Sequence, residues 1–178
     1  MENIAETIRQ NLGYAALYKI DPNTQDISLE DKSFGTNSLT QAAIPVVVTG
    51  LFNYLSQPAL DSAILLGNEK WLPMIFGKKL TEVTGRVAEY AGASGERAKG
   101  EMEHIADEAV RLVNTQITGS NRQVALSEFL SKHKDDALFY LPASLKTGEM
   151  LGDNTIDDRT HKMEGPISSF MHKLEKQF

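Results

Sequence analysis

Apolar residues recur along this chain three and four apart, the spacing that gathers them on one side of a helix. Ile4, Ile8 and Leu12 predict an N-terminal helix with Glu2 and Glu6 at its positive end. Tyr14 to Ile20 extend it past Gly13, until Asp21-Pro22-Asn23 stops it. Residues 21–38 are polar and read as a long loop. Asn37 or Ser38 then caps a helix to about Ser56, in which Pro45 predicts a kink or a later start just before Ile44. The stretch AAIPVVVTGLFNYL is apolar on most sides and predicts the most buried helix of the fold. Val46 to Val48 would suit a strand, but the leading proline and the Leu51, Leu55 spacing favour helix.

Pro58 suits the first turn of a short helix through Leu66, ended by Gly67 and Asn68. Trp71 to Phe76 make one apolar turn closed by Gly77, with Trp71 and Phe76 read as core. Leu80, Val83, Val87 and Tyr90 mark the next helix, which Gly92-Ala93-Ser94-Gly95 breaks. Ser94 caps its successor. There Ala98, Met102, Ile105, Ala109, Leu112 and Gln116 form the seam, flanked by Ile117, and Glu101, Glu103, Asp107, Glu108 and Arg111 form the other face. Arg122 to Lys132 and His133 to Leu141 follow, stopped by Pro142. A last helix shows Ile167, Phe170, Leu174 and Phe178 on one side. The fold class expected is all-α: a multi-helix orthogonal bundle with a central helix-turn-helix hairpin from Lys78 to about Ile117, and no sheet. Residues 1–152 read as the domain, and 153–178 as a C-terminal helical extension docked on it.

Composition narrows the function classes. At 178 residues and 41% hydrophobic content the chain can bury a sizeable core without staples. It has no cysteine, which removes disulfides, thiol nucleophiles and cysteine-ligated metals. The N-terminal MENIAETIRQ lacks a secretory pattern, and Ala42 to Val48 fall short of the roughly 20 residues of a membrane span. A cytoplasmic location is expected. The net charge of −6 opposes nucleic-acid binding, which rests on Lys and Arg against phosphate.

Two stretches carry a resemblance: IFGKKLTEVTGRVAEYAGASGERAKGEMEHIADEAVRLV at 75–113 and LSEFLSKHKDDALFYLPASLKTGEMLG at 126–152. Their order and spacing, with QAAIPVVVTGLFNYL upstream, resemble the YidB-like family of bacterial all-α proteins over about residues 35–152. Asp107 stands where that family tends to have proline, and the charged C-terminal stretch extends beyond its usual end. The resemblance implies a helical bundle and no assigned activity. It supplies no catalytic residue.

Three sharper patterns compete with plain structural ones. VAEYAGAS at 87–94 followed by GERAKGEM looks like the helix-turn-helix of LacI-type repressors, with Arg97 and Lys99 as the phosphate contacts. From Ser94 to Glu108, however, those two basic residues face five acidic ones, so a structural hairpin is expected. Glu101-x-x-His104 matches half of a di-iron bundle motif, but no second Glu-x-x-His occurs. A solvated face with His104 paired to Glu108 is the plainer expectation. Asp135-Asp136 and Asp157-Asp158 read as surface charge and capping, because adjacent helical residues diverge by about 100°.

These readings lead to a non-enzymatic protein with no cofactor, acting through an unknown protein partner or as a homo-oligomer. The surface nominated is Glu101, Glu103, Asp107 and Glu108, together with Phe170, Met171 and Phe178. The alternatives are a divergent helix-turn-helix DNA-binding protein and, more remotely, a metal-binding helical bundle.

Overall fold

A helix with apolar residues around most of its circumference is stable only with neighbours on every side. In the computed structural model, which describes residues 3–20, 36–58, 60–66 and 70–151, α2 (Thr36–Leu55) is that helix. Ala42, Ala43, Ile44, Val46 and Val47 are wholly buried, and Leu51 with them. Around α2 pack α1 (Ile4–Asn11), α3 (Trp71–Phe76), α4 (Leu80–Ala91), α5 (Gly95–Gln116) and α7 (Thr147–Leu151), with a short turn at Leu138–Tyr140. α6 (Arg122–His133) lies against α5 and a 3-10 segment at Ser62–Leu66, and its Phe129 meets Phe52 of α2 edge-on at 5.9 Å. The architecture is an all-α bundle, and no strand occurs among the described residues.

The central hairpin forms from the turn chemistry its sequence announces. Gly92 sits in the left-handed region at φ 61°, and the amides of Gly92 and Ala93 close back on the carbonyls of Glu89 and Ala88. Two residues later the Ser94 hydroxyl accepts from the Arg97 amide at 3.3 Å, capping α5. Ala98, Met102, Ile105, Ala109 and Leu112 are buried as expected, joined by Ala106, Val110 and Val113. Gln116 is exposed instead, and Ile117 takes the buried place at the end of the seam. Trp71 and Phe76 are core.

Other expectations change. Of the two readings at Pro45, the later start does not occur: as the helix expected to about Ser56 requires, Pro45 lies inside α2, with burial on both sides of it offsetting the amide it cannot give to Gln41. Tyr14 to Ile20 are not helical; they run irregularly along the bundle, held by bonds to Gln41 and Phe139 described below. The short helix after Pro58 begins only at Ser62, because the Asp61 carboxylate accepts from the Ala63 amide and supplies the start that Pro58 does not. His133 to Leu141 hold a turn and a 3-10 segment rather than a helix, since Asp136 is drawn into bonds with α1. The C-terminal stretch 153–178, with its expected helix and docking, lies outside the described residues.

Counting Ala42 to Val48 alone underrates α2. Ser38–Leu55 is long and apolar enough to cross a membrane, with a mean hydropathy of 1.2, but 83% of it is buried inside the bundle. That is the environment of a core helix.

Gly50 marks the closest approach of α2 to α3. A Cβ there would stand 2.6 Å from Cε1 of Phe76 and 2.9 Å from Cγ2 of Ile75. Gly50→Ala should therefore destabilise the fold by about 1–2 kcal/mol, overpacking outweighing the roughly 1 kcal/mol that alanine gains in a helix. Urea unfolding monitored by circular dichroism checks this, and Phe76→Leu in the same chain should restore part of the loss.

Candidate functional site

A cluster of polar side chains reaching across the bundle lies where the N-terminal arm, residues 3–20, meets the rest of the described residues. α1 forms because Asn3 caps it, its side-chain oxygen accepting from the Ala5 amide at 2.9 Å and the Glu6 amide at 3.4 Å. Its apolar stripe of Ile4, Ala5 and Ile8 is buried to within 1% of fully. Burying each isoleucine contributes about 1.5–3 kcal/mol. The end of the helix is then fixed from outside. The Asn3 side-chain amide donates to the Asp136 carbonyl at 2.7 Å, and the Ile4 amide donates to the Asp136 carboxylate at 3.0 Å. The same carboxylate lies 2.8 Å from Nδ1 of the buried His133, whose ring rests on Phe129. A negative group at the start of a helix also meets the positive end of its dipole.

Further along, charged groups rim the apolar stripe. Glu6 pairs with Arg9 at 2.8 Å, and its carboxylate acts on the Tyr140 hydroxyl. Arg9 donates to the Tyr14 carbonyl at 3.0 Å, fixing the turn that ends α1. Asn11 donates to Glu108 at 2.7 Å, and the Glu101 carboxylate acts on the Tyr14 hydroxyl. Burial, reinforced by these carboxylates, pushes the hydroxyls of Tyr14 and Tyr140 above their ordinary value of 10.0. Arg111 holds the Glu108 carboxyl below its ordinary value, against partial burial and with help from Asn11. Beyond α1 the arm runs beside Gln41. That side chain accepts from the Tyr18 amide at 2.8 Å and donates to the carbonyls of Tyr18 and Tyr140, both at 3.0 Å. The Ile20 amide donates to the Phe139 carbonyl at 2.9 Å.

The nominated acidic residues of α5 therefore divide. Glu101 and Glu108 turn toward the arm, and the Glu108 side chain is only 10% exposed. Glu103 is half-buried and Asp107 exposed. Glu108 accepts from Asn11 and Arg111 rather than pairing with His104, which is exposed. Arg97 and Lys99 stand exposed near the start of α5, beside the equally exposed Glu96. Phe170, Met171 and Phe178 lie outside the described residues. Asp136 proves to cap a helix, but one 132 residues away in sequence. The group that sequence reasoning missed is Asn3, Glu6, His133, Asp136 and Tyr140. Its only local trace is the i, i+3 spacing of His133 and Asp136.

The polar groups of this seam are taken up in bonds that fix the arm. The Asp136 carboxylate binds both His133 and the end of α1, and the carboxylates of Glu6 and Glu108 are engaged by donors from the arm or beside it. Among the described residues no group of three or more His, Asp or Glu is placed to hold a metal ion. Open grooves lie elsewhere among the described residues. One, of about 390 Å³, runs between α4 and residues 144–146, where Arg86 bridges Glu82 and the Leu145 carbonyl. Another, of about 320 Å³, lies between the end of α2 and α6.

Asp136→Ala should lower stability by about 2–3 kcal/mol, because the part-buried bonds to the Ile4 amide and His133 are each worth about 1–1.5 kcal/mol. Hydrogen exchange should show the loss concentrated in the amides of α1. Alkaline pH is a second probe. Tyr14 and Tyr140 titrate higher folded than unfolded, so their contribution is complete below pH 10 and is lost as pH rises from there toward their folded values. Urea midpoints between pH 9 and 11.5 should fall steeply for the native protein and less so for Y14F/Y140F.

No family model, curated protein or solved structure matches the chain, so the site is read from its own geometry.

Proposed function

We propose that this protein works without catalysis, through protein–protein contact or self-association, and that its working surface is the groove that receives the amphipathic helix α1. One observation carries the reading. The seam between arm and bundle has the anatomy of a protein–protein interface, with a dry apolar centre of Ile4, Ala5 and Ile8 and a rim of hydrogen-bonded polar pairs. A groove of that kind takes an amphipathic helix by its apolar stripe and sets its register through the rim. A cytoplasmic location and YidB-like kinship belong to the same proposal, supported by the composition and by the turn and apolar positions quoted above. The mixed charges around Arg97 and Lys99 favour no nucleic-acid reading.

The test weakens the resident helix and offers another. Full-length Ile8→Ser, shown by circular dichroism to keep its helicity, should bind a fluorescent peptide of residues 1–20 at least ten-fold more tightly than the native protein does. Equal, negligible binding to both would remove the groove as a helix-receiving surface.

A further inference from the structure

We infer that the helix this groove takes from outside is the arm of a second copy of the same chain, so that two molecules exchange arms into a dimer. The inference rests on the reading of the groove just given and names its partner.

The bonds fixing the arm across the fold end on residues far along the chain. Asn3 and Ile4 bond Asp136, Asn11 bonds Glu108, Tyr18 pairs with Gln41, and Ile20 bonds Phe139. Side by side these contacts form a lock that the arm's own sequence fits at four places. A foreign amphipathic helix could match the apolar stripe, but it would also have to supply an asparagine cap and a donor for Glu108 at the same spacing. Another copy of the arm supplies both.

Exchange is also cheap in contacts. A swapped arm remakes in its neighbour each bond it gives up at home, so the two forms differ mainly in the freedom lost on association and in how the connection is strained. That connection is long. Fifteen residues, 21–35, separate Ile20 from the start of α2, and fully extended they span up to about 50 Å. The arm can therefore reach a second bundle while its own α2 stays in place, and the balance between forms should follow concentration.

The cysteine-free chain makes the test clean. Asn11 on the arm and Glu108 on α5 are 2.7 Å apart at their tips. The double variant N11C/E108C selects the cross-linker, disulfide or a short bis-maleimide, that joins the pair within one chain. The single variants N11C and E108C are then mixed in equal amounts at rising concentration and treated with it, and the adducts are weighed by mass spectrometry. Arm exchange predicts a covalent heterodimer at least ten-fold more abundant than either homodimer, with a yield that grows with concentration. A mixture that stays monomeric, or adducts in the statistical proportions of random collision, overturns it. Should the peptide of residues 1–20 still bind Ile8→Ser in that case, the groove stands and only the second copy is lost as its partner.

Discussion

With Ala42 to Val48 out of solvent along most of its circumference, α2 has no stable existence except inside a cage of other helices. α3, α4 and α5 supply three walls of that cage, and each meets α2 on terms that α2 sets. At Gly50 the axis of contact is so close that the ring of Phe76 occupies the space a side chain would need. The α4–α5 hairpin carries two walls at once, which is why its turn is fixed at both ends, by Gly92 and by the Ser94 cap. The arm closes a further side, with Ile4 and Ile8 completing the apolar surround.

What could be read from the sequence follows from how local each signal is. The hairpin was legible because a glycine in the left-handed region and a serine cap act within four residues of where they stand. The seam of α5 was legible because helical period and burial agree from Ala98 to Val113. Tyr14 to Ile20 failed for the opposite reason. Their spacing permits a helix, but what decides their path is the Gln41 side chain, 23 residues from Tyr18, and the Phe139 carbonyl. At Pro45 the sequence left open whether the helix starts there or continues through it, and the packing that decides this, offsetting the missing amide, lies elsewhere in the chain. The candidate seam was harder still. Glu101 and Glu108 look like solvated charge from their neighbours, and the residues that cover them, Tyr14 and Asn11, come from nearly the other end of the domain.

The outer surface of α5 is consequently two surfaces. One, through Glu101 and Glu108, belongs to the docking of the arm, with Arg111 drawing Glu108 into place from the solvent side. The other mixes Glu96, Arg97, Lys99 and Asp107 in open solvent, where opposite charges alternate and no single sign prevails. Long-range attraction needs a field of one sign, and this stretch of α5 supplies none.

Gln41 gives this arrangement a lifespan. Gln41 is 2% exposed, and its carboxamide offers both an acceptor and donors to the backbone beside it, as a neighbouring strand would. Carboxamides are among the thermolabile side chains, and hydrolysis of this one would leave a carboxylate of nearly the same shape with nothing to donate. Two carbonyls, of Tyr18 and Tyr140, would then face a buried negative charge. One of the groups that fasten the arm is thus also one whose chemical ageing would loosen it.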